Sequence, residues 1–344
     1  MKIRAEDETN NFTLLRLLLS LAVVLGHFKL LSGTQYPRFP FNLADAAVDC
    51  FFVVSGFLIA LSYARTHGLW SFYVRRFFRL YPMYACIVLI QAGIMLALLP
   101  GGPFSEPHAT LRYLAVNLTF ANFLQYDIGG VLSGLRVPGI NPSLWTLKIE
   151  LGFYLIVPLI FVATRRWGYK VLVLIFLASV AYNVVALHLG DDRYAKQLPG
   201  QLQFFVVGMA LYLYARDFRI PSWVFPIVAV LFLTAWTWIH PIPPGIRPLL
   251  VGAFVFCFAL GTPVLPMRTD MSYSVYLVHG PLIQTMLLLG LFRDEPLYLA
   301  AVVAAVLAVS FAAEHLVERP GNEFGRRLSV RLRPRRAVTA PGVA

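Results

Sequence analysis

Apolar residues in this chain come in blocks of about twenty, separated by short polar stretches. A helix that crosses a bilayer needs about 20 mostly apolar residues. Ten blocks approach that requirement, at about 12–32, 44–63, 79–99, 144–164, 169–188, 200–215, 222–240, 246–262, 271–291 and 296–317. The sixth and eighth are short. The blocks continue to about residue 317 and leave no room for a separate soluble domain. The fold predicted is all-α, a polytopic membrane bundle of about ten transmembrane helices. The first block lacks a small-residue cleavage site and reads as the first span rather than a signal peptide. One connection is long: residues 100–143 include "LRYLAVNLTFANFLQY", which is too polar for a span. It predicts a re-entrant or interfacial helix on the outer face.

Composition agrees with this pattern. Apolar residues make up 58% of the 344 and charged residues 13%, where a soluble domain carries roughly a quarter charged. The net charge of +12 suggests nucleic acid only until it is mapped. An even number of spans puts both termini on one side. On that side lie 20 of the 29 Lys and Arg residues, against 7 on the other and Lys29 and Lys148 inside spans. Every connection on the terminal side carries at least one Arg. The positive-inside rule therefore predicts cytoplasmic termini, and nucleic acid is not an expected partner. The basic segment 321–344, with "GRRLSVRLRPRR", predicts a disordered cytoplasmic tail touching anionic lipid headgroups. Cys50, Cys86 and Cys257 sit singly in apolar blocks without metal-type spacing. They read as small apolar residues, and no metal site is expected.

Ionisable residues inside spans are costly, so they mark function by default. Away from span ends there are six: His27, Lys29, Asp49, Lys148, Glu150 and His279. Arg16 precedes His27 by eleven residues, close to three turns, so the two share a helix face about 16 Å apart in depth. Asp49 and His27 each lie about five residues from the outer ends of neighbouring spans, and Glu150 about six. A carboxylate at that depth could fix the imidazole tautomer. Lys148 has carboxylates near enough in sequence to pair with. At the start of the third span, Arg76 and Arg79 in "VRRFFRLYPMY" share a face, and paired arginines suit phosphate. Together these features describe an anionic donor held at the cytoplasmic side, a reacting centre deeper in the membrane, and an acceptor arriving from outside.

Five stretches in order, "LLRLLLSLAVVLGHF", "AVDCFFVVSGFLIA", "RRFFRLYPMY", "NPSLWTLKIELGFYLIVPL" and "SYSVYLVHGPL", with a closing "VERP" at 317–320, span nearly the whole chain. In them the chain resembles the membrane-bound acyltransferase family 3, the sugar O-acyltransferases that include O-antigen and exopolysaccharide acetylases. The resemblance implies residence in the bacterial cytoplasmic membrane, acetyl-CoA as donor, and a glycan or lipid-linked sugar as acceptor. It implies that residues 1–320 form the transferase domain. Without an extra domain after the last span, the chain is expected to be the stand-alone form. By the same resemblance His27 is the essential histidine, and Arg16, Arg76 and Arg79 are expected to hold the CoA donor. Asp49 and Glu150 are its catalytic carboxylates. His279, with Asn141, Trp145 and Tyr276 from the same motifs, is expected to bind substrate. Two schemes stay open: His27 as general base for direct attack on the thioester, or passage through an acyl-histidine. The rival class is a proton-coupled transporter of an anionic substrate. The acceptor's identity and the oligomeric state, a homodimer included, are not set by the sequence.

Overall fold

A computed structural model describes residues 10–332, apart from residues 38, 67, 191, 240 and 268. Lys2, Arg4, Arg38, Arg268, Arg333, Arg335 and Arg336, which enter the charge asymmetry, lie outside the described residues. Among those described there are helices and no strand. In chain order they are α1 Phe12–Ser32, α2 Ala44–Arg65, α3 Leu69–Leu98, α4 Pro107–Leu118, α5 Trp145–Trp167, α6 Lys170–His188, the single turn α7 Asp192–Ala195, α8 Leu198–Ala210, α9 Val224–Trp238, α10 Ile246–Gly261, α11 Ser272–Leu288, α12 Pro296–Ala313 and α13 Arg319–Arg331.

Every apolar block falls on a helix. Seven helical stretches are long and apolar enough to cross a membrane: those of α1, α2, α3, α5, α6 and α8, and the continuous run Pro296–Arg331. α9 and α10 are apolar but shorter, and α11 has 17 residues. α11 also carries several polar residues in its interior-facing positions. Its polar residues Ser272, Ser274, His279 and Gln284 are all buried, because the helix lies between α1, α3 and α12. α2 is enclosed by α1, α5, α8 and α10, whereas α6 buries little more than Leu172, Ser179 and Ala186. α2 and α11 thus form the interior, and α6 lies at the margin.

The tightest crossing is that of α2 on α8. A Cβ on Gly56 would come within 2.1 Å of the Phe205 carbonyl oxygen, and one on Gly208 within 1.9 Å of that of Val53. Paired glycines let two backbones touch, which is how helices gain packing where lipid supplies no hydrophobic drive between them.

Three expectations change. α3 begins ten residues before the predicted boundary at 79, so Arg76 and Arg79 lie inside a continuous helix rather than at its start. The arginines marked an end by composition, yet their side chains find interior partners and the helix runs past them. The segment expected as a disordered tail is helical to Arg331 and packs along α3, with Ser71 Oγ donating to the Ser329 carbonyl at 2.7 Å and Arg75 Nε to Ser329 Oγ at 2.8 Å. Lys148 pairs with no carboxylate among the described residues; its Nζ lies 4.6 Å from the centre of the Phe123 ring. The long connection 100–143 does contain a helix, α4, anchored through buried Tyr113 and Asn117.

Candidate functional site

Two polar layers lie along α1, and α11 with the residue just ahead of it supplies a partner to each. Arg16 pairs with Asp270, just before α11, and eleven residues later His27 Nδ1 is 2.7 Å from His279 Nε2 on α11. The shared face predicted for Arg16 and His27 is therefore the face toward α11.

The first layer gathers three arginines among three carboxylates. Arg79 pairs with Glu318, and its Nη2 lies 3.4 Å from Asp270 Oδ2; Glu318 also accepts from Ser274 Oγ at 2.7 Å. Burial would raise the Asp270 carboxyl, but the guanidiniums of Arg16 and Arg79 outweigh it and hold the group below the usual carboxylate range. Arg76 differs. Its Nη2 donates to Ser62 Oγ at 2.8 Å, its guanidinium lies 5.8 Å from the Tyr154 ring centre, and its buried Nε has no hydrogen-bond partner among the described residues. Arg16, Arg76 and Arg79 line one cavity together with Glu150, Tyr154 and Tyr276. Tyr154 donates to Glu150 at 2.5 Å. Glu150 thus belongs with the arginines and does not orient His27.

The second layer is built on a local sequence device. Pro281 has no N–H, so the carbonyl of Leu277 loses its helical donor; Asn141 Nδ2 supplies the missing bond at 2.9 Å. Gly280 makes room for it, since a Cβ there would come within 2.8 Å of Asn141 Oδ1. That oxygen in turn accepts from Ser143 N at 3.2 Å and starts the turn into α5. Ser143 Oγ then stands 3.2 Å from His279 Nε2 and 3.4 Å from His27 Nδ1. Thr146 Oγ1 and Tyr276 OH, 2.9 Å apart, separate this trio from the arginine cavity.

Hydrogen bonding assigns the tautomers. His279 Nδ1 is 3.1 Å from the Val275 carbonyl, which can only accept, so Nδ1 carries the proton and Nε2 accepts. His27 Nδ1 then donates to it, which leaves the lone pair on His27 Nε2. His279 is fully buried, while His27 is half-buried. The arrangement is one imidazole oriented by a second, next to a hydroxyl and beyond an arginine-lined cavity.

Asp49 is a correction to the predicted carboxylate beside His27. Its Oδ2 accepts from Arg247 Nε at 2.6 Å and lies 2.6 Å from Nη2, so its charge is committed to α10 rather than to the imidazole. His279, expected to bind substrate, occupies the place predicted for a carboxylate. Asn141 positions the turn at Ser143, Tyr276 walls the arginine cavity, and Trp145 lines two further cavities. Ser143, Asp270 and Arg247 carried no signal in the apolar pattern; Glu318 stood in the "VERP" motif.

The profile of the acyltransferase domain family matches residues 9–315. Nodulation protein 10 of Rhizobium leguminosarum bv. viciae is 27% identical over 93% of this chain and 96% of its own length. A putative membrane-bound transacylase, BcsY, of Komagataeibacter xylinus is 28% identical over 85% of this chain and 80% of its own. The O-acetyl transferase of Shigella phage Sf6 is 26% identical over 91% and 96%. No solved structure matches.

Proposed function

Because this chain belongs to the acyltransferase family whose domain it carries over residues 9–315, and is a multi-pass membrane acyltransferase, we propose that it moves an acetyl group from cytoplasmic acetyl-CoA to a hydroxyl of a cell-surface or exported glycan. The observation that carries this reading is the His27–His279 pair standing just beyond an arginine-lined cavity.

CoA supplies the acyl group as a thioester when bound. Arg76 offers its phosphates an uncommitted buried donor, and Arg16 and Arg79 add positive potential to the same cavity. His27 Nε2 takes the proton of the acceptor hydroxyl as its oxygen attacks the thioester carbonyl. The carbon–sulfur bond then breaks, and the imidazolium returns the proton to the leaving thiolate. His279 holds the His27 ring and accepts its Nδ1–H throughout, as an orienting group.

Sidedness follows from length and charge. The run Pro296–Arg331 has 36 residues, about 54 Å of helix against a hydrocarbon core of about 30 Å. Its basic end, α13, therefore extends beyond the membrane on the side of Arg75 and Arg76. The charge count supports reading that side as cytoplasmic; on this proposal the membrane is the bacterial inner membrane, the chain crosses it ten times, and the glycan is met on the opposite face.

The test supplies radiolabelled acetyl-CoA to inverted membrane vesicles, with wild type, His27→Ala and Arg76→Ala compared for label in extracted glycan. Transfer that vanishes in His27→Ala and needs more donor in Arg76→Ala supports the proposal. Near-normal transfer by a folded His27→Ala protein overturns it.

A further inference from the structure

A second cavity, of about 240 Å³, opens between the start of α2, the end of α6, and the starts of α8 and α10. It shares Val48 with the arginine cavity and has Trp145 in its wall. Trp145 is two residues from Ser143, whose hydroxyl touches both histidines.

Its lining is built rather than incidental. Asp49 is 5% exposed. Both of its Arg247 contacts fall on Oδ2, and Oδ1 accepts no hydrogen bond among the described residues. Gln203 is 3% exposed and lines the same cavity. Its Nε2 donates to the Gly200 carbonyl at 2.9 Å, but its Oε1 is buried without a partner. A buried acceptor left unsatisfied costs stability unless something binds it. Opposite these two acceptors stand the donors Arg247 and Lys196, with Lys196 Nζ 5.8 Å from the Trp145 ring centre. Asp45 adds a second carboxylate, so two cations face two anions and the cavity carries no net charge.

We propose that this cavity is the subsite for the acceptor, and that it holds an uncharged sugar ring. The proposal rests on the acyl-transfer reading above and names the substrate class of that site. A ring of hydroxyls offers donors to Asp49 Oδ1 and Gln203 Oε1 and acceptors to Arg247 and Lys196. Its C–H face suits the indole of Trp145. Balanced charge discriminates against phosphates and uronates, which the arginine cavity would favour instead. Seated there, the ring presents a hydroxyl along Trp145 toward Ser143 and His27.

The test measures acetyl transfer in native membranes from radiolabelled acetyl-CoA to the host's own surface glycan, extracted and titrated by mass, so that donor and acceptor KM are separated. Gln203→Met keeps the side-chain volume and removes the orphaned oxygen; Lys196→Met removes one donor. Each is expected to raise the acceptor KM at least tenfold with the donor KM within twofold. Asp49→Asn is expected to do the same, but it also strips Arg247 of its charge partner, so the other two variants decide. Unchanged acceptor KM in folded Gln203→Met and Lys196→Met overturns the subsite. So does a parallel rise in both KM values, or a rise confined to Tyr126→Ala in the separate cleft that Trp145 also lines. Wild-type membranes that transfer nothing refute the acyl-transfer reading itself, and the subsite falls with it.

Discussion

Arg76 and Arg79 lie one turn apart, and the sequence treats them alike; the structure gives them different work. Arg79 neutralises Glu318, whose side chain is 2% exposed, and also faces Asp270. Arg79→Ala leaves Glu318 without its cation, while Asp270 keeps Arg16. Breaking a buried pair costs about 3–5 kcal/mol. Arg79 and Asp270 retain 23% and 29% exposure, which places the cost near the low end, about 3 kcal/mol, or roughly two decades in the folded-to-unfolded ratio. Arg76→Ala loses one hydrogen bond to a serine hydroxyl and an unpartnered Nε, about 1 kcal/mol. It loses as well the charge-assisted bonds that a bound anion would receive, at about 1.5–3 kcal/mol each. One such bond is worth about one to two decades in donor KM. Thermal unfolding of detergent-solubilised protein, followed by size-exclusion recovery, reads the first effect; transfer kinetics against acetyl-CoA read the second. The expected outcome is a strongly destabilised Arg79→Ala, partly rescued by adding Glu318→Gln, and an Arg76→Ala that melts near wild type with a donor KM raised at least tenfold. Equal melting losses in the two single variants, with no rescue in the double, would refute the division.

Gly280→Ala is expected to lower transfer roughly ten- to hundred-fold in folded protein, because its Cβ meets Asn141 Oδ1 at 2.8 Å and displaces the residue that sets Ser143 against the histidines; kinetics at saturating donor check this. Gly208→Ala is expected to cost more than the usual 1–3 kcal/mol of overpacking, since the new atom lies 1.9 Å from a carbonyl oxygen, and loss of folded protein in detergent reads it out. The Asp270 carboxyl is held below its ordinary value by Arg16 and Arg79. Its contribution is therefore fully present above the unfolded carboxylate pKa of about 4 and fades as pH falls through the depressed folded value. The difference in melting temperature between wild type and Asp270→Asn should stay level from pH 5 to 8 and close only below about pH 4.

Much of this protein is legible in one dimension. The bilayer acts on each segment by its length and apolarity, so each of the ten blocks falls on a helix without knowledge of its packing, seven of them in stretches long and apolar enough to cross. The cost of a charge in lipid singled out His27, Asp49, Glu150 and His279, because each must have a reason to be there. Helical spacing put Arg16 and His27 on one face. Motif order identified the family, and with it the class of reaction. What the sequence could not decide was which of these groups meet. Arg16 and Asp270 are 254 residues apart, and His27 and His279 are 252 apart. Such pairings depend on which helices touch, and in lipid that is set by small-residue contacts such as Gly56 on Gly208 rather than by hydropathy. Depth alone made Asp49 a neighbour of His27, yet α2 turns that carboxylate toward Arg247 on α10. The proline at 281 looked like an ordinary interruption until Asn141 was seen to fill the bond it leaves open. Position along the chain fixes the depth and face of a residue; only the tertiary structure, by rotating and pairing the helices, decides whether a buried charge becomes a catalyst's partner or another helix's counterion.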